Sequence, residues 1–327
     1  MGLDLKQYAN FLIENGITYL AVANLEEALD LRKFGIETRI LMLSPISMKK
    51  ELKLLIENDI TITIGSFSEL EIAEEICKKL QKNIRAHLKI DTGFGRYGFI
   101  YTEKEIILET IKKAKNVIIE GMFTHFSKPI NEKITKQQFQ RFIEIENYIK
   151  QNDFQIDILH CCSSTAFLKY PEMWKNAVRL GSIIQGRTLI ESQKFKKIGS
   201  FKSYIEEIKN LPKGYNISYG NTYTTKRNTK IAVVPIGYMD GFNKNKLRDD
   251  YSLKNNLISV GMEIKKIFKD NTLKVRIHGK MYKVLGRLGM YHSIIDITEC
   301  DNIDVGTEVE IDIAPLQAND EIRREYI

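Results

Sequence analysis

The residues with the chemistry to run a reaction fall at the ends of short apolar runs. Three of the five histidines, His87, His125 and His160, sit in such runs. Taken singly, a strand histidine is more often a satisfied core residue than a functional one. Asp91-Thr92-Gly93-Phe94-Gly95-Arg96-Tyr97-Gly98 directly follows an apolar run. Its glycines let backbone approach a ligand, and Arg96 offers a planar fork for a carboxylate or phosphate. By itself this is a weak glycine-rich motif. His160-Cys161-Cys162-Ser163-Ser164-Thr165 ends another run. Its hydroxyls and N–H groups suit a phosphate at a following helix, and they equally suit a plain helix N-cap. Arg179 lies inside the apolar stretch Val178-Arg179-Leu180-Gly181, where a cation needs a partner, either an ion pair or a ligand. Further along, Ser218–Thr225 and Pro235–Phe242 set tyrosines beside glycines. A tyrosine acts as a base near neutral pH only when nearby positive charge lowers its pKa well below about 10.

The elements that must carry these residues read as two kinds. In the first part of the chain, strand candidates occur at Ile17–Ala23, Arg39–Ser44, Ile60–Gly65, Arg85–Asp91, Ile118–His125, Asp157–Ser163 and Ala177–Gln185. Amphipathic stretches separate them, among them Leu25–Phe34, Phe67–Leu80 and Thr135–Gln151. Strands buried on both faces and alternating with helices imply a parallel sheet, either doubly wound or a (β/α)8 barrel with working residues at the C-terminal ends of its strands. Seven strands are counted where a closed barrel needs eight. The chain opens instead with a helical pattern through Leu5, Tyr8, Ala9, Leu12 and Ile13. A missing first strand and a miscount by one both account for this.

From about residue 200 the pattern is all-β, with strand candidates at Tyr215–Thr225, Thr229–Ile236, Leu257–Val260, Ile264–Phe268, Thr272–Ile277, Lys280–Leu285, Ser293–Ile297 and Glu308–Ile313. The expected organisation is an α/β TIM-type barrel, residues 1–199, whose first strand is missing, followed by a C-terminal β domain, residues 200–327.

Composition narrows the class. The chain has 327 residues, 43% hydrophobic and 28% charged, with a net charge of +7. The basic residues are dispersed, which argues for a solvated surface rather than a nucleic-acid site. Four cysteines, two of them adjacent, form no disulfide or metal pattern. No apolar run approaches the roughly 20 residues of a membrane span, and the N-terminus lacks a signal-peptide core. A cytoplasmic protein is expected, with no metal, nucleic-acid or membrane partner.

In order and spacing, these segments resemble bacterial alanine racemase, a fold-type III pyridoxal 5'-phosphate (PLP) enzyme. The match runs from near residue 15 to the C-terminus: Leu25-Glu26-Glu27-Ala28, Leu31-Arg32, the loop Asp91–Gly98, Thr124-His125-Phe126, His160–Ser164, Val178-Arg179-x-Gly181, Ser218–Thr225, Ile236–Gly241, Val284-x-Gly286-Arg287-x-x-Met290 and Arg324-Glu325-Tyr326. The resemblance implies a barrel and a β domain working as a homodimer with shared sites. PLP is then bound as an aldimine, and two bases interconvert L- and D-alanine, a step toward the D-alanine of the cell wall. It also implies roles. Tyr219 is the second base, contributed across the dimer; Arg179 faces the pyridine nitrogen; His125 supports both by hydrogen bonding. His160 belongs to the cofactor site, and Ser164 and Tyr326 contact the phosphate. Arg96 and the Met290 backbone hold the substrate carboxylate, Tyr238 lines the entrance, and Lys89 matches a lysine that can be carbamylated to buttress Arg96.

Two departures matter. The family lysine that forms the Schiff base ends the first barrel strand, and its match lies upstream of Met1, so residues 1–327 alone are expected to racemise weakly or not at all. Ser163 and Tyr291 replace the family's Asn and Asp. The alternatives are an impaired racemase-like PLP-binding paralogue, a racemase for another amino acid such as serine, and a PLP decarboxylase of similar build. The ordered motifs argue against the last.

Overall fold

A computed structural model describes residues 2–188, 190, 195–244, 272–319 and 322–325. By its internal contacts the chain divides into Asp4–Lys197 and a second unit of Ile198–Ile327 joined by the first three residues.

The first unit alternates helices and parallel strands: α1 (Leu5–Glu14), β1 (Tyr19–Val22), α2 (Leu25–Lys33), β2 (Arg39–Met42), α3 (Lys49–Glu57), β3 (Ile62–Ile64), α4 (Phe67–Leu80), β4 (Ile84–Asp91), a short β5 (Phe99–Ile100), α5 (Lys104–Lys113), β6 (Val117–Phe123), α6 (Glu132–Gln151), β7 (Ile158–Ser163), α7 (Ser164–Lys169) and β8 (Ala177–Arg179). The strands run β1-β2 and β3-β4-β6-β7-β8, all parallel, with Thr61 joining the two sets through backbone bonds to Ile40 and Met42. This seven-strand order is that of a TIM-type barrel lacking one strand. Among the described residues, β1 and β8 have no strand partner on their outer sides.

Local chemistry explains these elements. Asn24 caps α2 by accepting from Glu27 N–H, and acidic residues start the helix while Arg32 and Lys33 end it. Arg32 then spends its guanidinium on four carbonyls, of Ile36, Thr38, Asn58 and Asp59, tying two helix-to-strand loops together. Ser66 caps α4, and Glu69 reaches back to Gly65 N–H at 2.7 Å. Apolar strand residues such as Ile40, Met42, Ile62, Leu88 and Ile90 are buried against helix faces carrying Leu31, Leu55, Leu70, Phe142 and Ile145. Each such side chain contributes about 1.5–3 kcal/mol on leaving water.

Two expectations need correction here. Ala177–Gln185 is a strand for three residues only. Ile184, Gln185 and Gly186 then donate back three residues in succession, winding the apolar run into turns. α3, α5 and α7 join the four helical stretches anticipated in the sequence.

The second unit is antiparallel throughout. β10 (Glu207–Leu211), β13 (Thr229–Val234) and β16 (Ser293–Asp296) form one sheet, and β15 (Lys280–Lys283), β14 (Lys274–Ile277), β17 (Glu308–Ile311) and β9 (Phe201–Tyr204) form another. A small hairpin pairs β11 (Asn216–Ile217) with β12 (Tyr223–Thr224). Val234, Ile236, Val275, Ile277, Ile295 and Val309 share one core. The expected single strand Tyr215–Thr225 is therefore broken. Ser218, Gly220 and Asn221 take positive φ, and a 3-10 turn covers Tyr219–Asn221. Strands β9 and β10 were not anticipated. The candidates Leu257–Val260 and Ile264–Phe268 lie outside the described residues. Among the described residues no helix is long and apolar enough to cross a membrane.

Candidate active site

In the first unit the C-terminal ends of β4, β6, β7 and β8 gather six of the residues singled out in the sequence: Lys89, Arg96, His125, His160, Ser164 and Arg179. Two irregularities aim them. Between β7 and β8, His160 pairs with Ala177 but Ser163 with Arg179, so Cys161 and Cys162 face Val178 alone. Between β4 and β6, Ala86 pairs with Ile119 but His87 with Gly121, leaving Glu120 unpaired. Bulges of this kind re-aim side chains next to functional sites.

Arg179, the last residue of β8, is the hub. Its Nη1 donates to His160 Nδ1 at 2.6 Å and to the His160 carbonyl at 3.0 Å. Its Nη2 donates to the Thr124 carbonyl at 2.7 Å and to His125 Nδ1 at 3.3 Å. Its guanidinium also lies 5.2 Å from the Phe123 ring centroid. Burial pushes Arg179 down to about 10, which leaves it charged at neutral pH.

A guanidinium has no acceptor, so both histidines must present an unprotonated Nδ1 to it. The electrostatics agree. Burial, followed by the charges of Arg179, Lys89 and Arg96, pushes His125 down to about 3. Burial and Arg179 likewise hold His160 well below its ordinary range. Both rings are neutral with the proton on Nε2. His160 stacks on Phe123 at 4.7 Å between centroids and donates from Nε2 to His87 Nδ1 at 2.8 Å.

The loop after β4 is built on Asp91. Its carboxylate accepts from the N–H groups of Gly93, Phe94 and Gly95 at 2.8–2.9 Å. Gly98, at φ +110°, passes so close to Lys89 that a Cβ would stand 2.6 Å from the Lys89 carbonyl. Arg96 lies over the Phe94 ring at 4.4 Å, and Phe94 meets His125 edge-on at 5.6 Å, so the exposed arginine is indexed to the half-buried histidine through one aromatic ring. Thr92 and Thr124 join hydroxyls at 2.8 Å beneath the loop. Lys89 is buried 4.4 Å from the Phe123 centroid. Burial, with Arg179 and Arg96, pushes it down to about 7.

Ser163 occupies the N-cap position of α7, but its side chain makes no capping bond. Ser164 is the informative hydroxyl: its Oγ accepts from Gly181 N–H at 3.1 Å and Ile183 N–H at 3.4 Å.

In the second unit, Tyr219 is 73% exposed. The preceding Ser218 hydroxyl donates to the Arg287 carbonyl, which pins the turn that presents Tyr219. Tyr238 and Met290 are brought side by side: Tyr238 N–H donates to Gly289 O at 3.1 Å and Met239 N–H to Met290 O at 3.0 Å. Both side chains are exposed. Tyr326 lies outside the described residues. A cavity of about 710 Å³ in this unit is lined by Tyr223, Lys226, Arg227, Lys283 and Arg287, and none of the anticipated site residues faces it.

The sequence reasoning weighed His87 alone and missed Phe94, Phe123 and Glu120 as parts of the site. A signal existed in β4, where Arg85, His87, Lys89 and Asp91 repeat at period two and so share one face.

Comparison with known proteins places this geometry. The model of the alanine racemase N-terminal domain matches residues 1–188, and that of the C-terminal domain matches residues 198–323. An alanine racemase of Methanococcus maripaludis is 34% identical over 315 residues, covering 93% of this chain and 77% of that protein. An alanine racemase 1 of Oceanobacillus iheyensis is 33% identical over 294 residues, covering 88% and 72%. Among solved structures, an alanine racemase of Clostridium difficile 630 superposes with a TM-score of 0.81 at 30% identity, covering 95% of this chain and 77% of that one. An alanine racemase from Bacillus anthracis with bound L-Ala-P gives a TM-score of 0.76 at 28% identity, covering 95% and 75%. The chain belongs to the alanine racemase family of PLP-dependent isomerases.

Proposed function

We propose that this protein interconverts L- and D-alanine with pyridoxal 5'-phosphate, in the cytoplasm, as a homodimer whose sites are shared between copies. The observation that carries the proposal is the Arg179 guanidinium, held at the end of β8 by two neutral histidines and three carbonyls. An arginine there, in place of a carboxylic acid, offers no proton to a pyridine nitrogen.

The residues fit the cofactor. Ser164 Oγ accepts from the N–H groups of Gly181 and Ile183, which leaves its hydroxyl proton to donate to a phosphate. Arg179, steadied by His160, suits the ring nitrogen, and Tyr326 is assigned to the phosphate from the family motif. When bound, PLP supplies an electron sink for the pair released from the substrate Cα. We take residues 1–199 as the cofactor-binding part and 200–327 as the part that supplies the second base.

The chain's own groups handle the substrate and its proton. Arg96 and the Met290 backbone are assigned to the substrate carboxylate, which fixes the Cα–H direction. Tyr219 takes or returns that proton from one face. His125, whose Nδ1 is committed to Arg179, has its Nε2–H left to donate to the phenolic oxygen. A 73% exposed phenol on a pinned turn suits a residue that works in another copy's barrel. Tyr238 lines the entrance. The resemblance assigns the opposite-face base to the family's Schiff-base lysine, for which residues 1–327 hold no motif match.

The test compares residues 1–327 with the same chain extended by its in-frame upstream codons. In deuterated water, the extended chain is expected to wash the α-proton out of both alanine enantiomers with PLP present, and the shorter chain to do so weakly or not at all. An extended chain that takes up PLP yet exchanges neither enantiomer overturns the proposal. Serine in parallel reads the substrate range.

A further inference from the structure

Arg179 is the first link of a hydrogen-bonded line that runs down the inside of the strands to the opposite end. His160 Nδ1 accepts from Arg179, so its Nε2–H is the donor to His87 Nδ1 at 2.8 Å. His87 is 1% exposed, and burial holds it neutral, below its ordinary value. Its own proton is therefore on Nε2, which faces Tyr19 Oη at 3.2 Å and Glu120 Oε1 at 3.4 Å. Tyr19 donates to the same Glu120 oxygen at 3.0 Å. Every link donates in one direction, from Arg179 toward Glu120.

The far end is built for this role. Glu120 is the residue left unpaired by the β4–β6 irregularity, which turns it toward Tyr19 and His87. Its carboxylate also meets Arg39 and, at 3.5 Å, Arg85. Tyr19 and Arg39 begin β1 and β2, and Arg85 is the second residue of β4, whereas Arg179 ends β8. Gly121 completes the fit. A Cβ there would stand 2.4 Å from His87 Nδ1, so the glycine leaves room for the ring.

We propose that Glu120 is a positioning residue for Arg179: through His87 it holds His160 in the tautomer that accepts from the guanidinium, and so fixes the guanidinium's orientation from the opposite end of the barrel. A fixed negative end for the line matters because a neutral imidazole between two partners can otherwise exchange tautomers. If His160 carried its proton on Nδ1, that nitrogen would face Arg179 donor to donor. The functional consequence rests on the reading of Arg179 as the cofactor-facing cation. The ring states can be measured without cofactor or turnover.

The experiment is a long-range proton–nitrogen correlation spectrum of the full chain with ¹⁵N-histidine at neutral pH. Single substitutions of the exposed His278 and His292, of His125 and of His160 assign four rings, and His87 follows by elimination. Both His87 and His160 are expected as neutral Nε2–H tautomers, and Glu120→Gln is expected to move the nitrogen shifts of both. Tyr19→Phe is expected to leave both tautomers in place, because His87 still reaches Glu120. With an active chain, Glu120→Gln is further expected to lower kcat by roughly threefold to thirtyfold with KM little changed. A proton on His160 Nδ1, a doubly protonated His87, or a Glu120→Gln spectrum with the His160 signals unmoved would each overturn the proposal. Wrong wild-type tautomers overturn it even if the variant fails to fold. Correct tautomers in a chain that exchanges no alanine proton would overturn the functional reading and leave this one standing.

Discussion

Arg179 Nη1 stands 2.6 Å from Nδ1 of His160, a contact that requires this nitrogen to be unprotonated. Because the guanidinium meets four further acceptors, in the His160, Thr124 and Cys161 carbonyls and His125 Nδ1, a single ammonium cannot replace it. Arg179→Lys keeps the charge but cannot satisfy this set. Alanine racemisation by an active chain is expected to fall by about two orders of magnitude or more, with a far smaller change in the unfolding midpoint. Steady-state kinetics beside denaturant melts would show it, and wild-type rates from the lysine variant would refute the role.

Tyr219 gives the opposite signature. At 73% exposure, its hydroxyl contributes little to the fold of its own unit. Tyr219→Phe is expected to change stability by less than about 0.5 kcal/mol and to lower racemisation by about 10²–10⁴, the range for loss of a general base. Circular-dichroism melts and a D-to-L assay would measure the two effects. Equal activity would remove Tyr219 from the mechanism.

Gly121→Ala places a methyl 2.4 Å from the buried His87 ring, which has no open side to retreat to among Phe123, His160 and Tyr19. Overpacking of this kind costs about 1–3 kcal/mol. Urea denaturation should show the midpoint moving down at unchanged slope, and a neutral result would mean that the ring has slack.

Acid should destabilise the first unit early. His125 sits at about 3 in the fold against 6.5 as its ordinary value, and His87 and His160 are lowered as well. Below about pH 6.5 the unfolded chain takes up protons that the folded rings refuse. Stability is full above that pH and is lost as the pH falls toward about 3, by at most about 1.4 kcal/mol per pH unit for each ring. Melts at pH 7, 6 and 5 should show the decline, and His125→Gln should flatten it. A midpoint independent of pH across this window would contradict neutral rings.

Asp91 organises the substrate-side loop through three backbone N–H groups. Asp91→Ala frees all three and is expected to cost about 1–3 kcal/mol locally, raising KM for alanine more than it lowers kcat because Arg96 loses its seat. Amide exchange of Gly93–Gly95 reports the loosening directly, and unchanged protection there would show that Phe94 and Arg96 hold the loop without Asp91.

The sequence alone determined the alternation of strand and helix, the change to all-β near residue 200, and the ordered motifs. Each of these depends on local spacing: period two in Arg85–Asp91, helical period in Phe67–Leu80, glycines where Asp91–Gly98 must turn. It missed β9 and β10, whose half-exposed, lysine-bearing edges lack the apolar runs of buried strands. It also overran β8 into turns, because an apolar stretch of that length reads the same whether extended or coiled. Tertiary structure decided what no spacing encodes. Glu120 leaves its ladder, His87 passes its proton toward Tyr19 and Glu120, and Phe94 meets His125, all through contacts between strands or loops far apart in sequence. Tautomers, burial-shifted charges and bulges are properties of neighbours in space, so they come into being when the sheet closes around them.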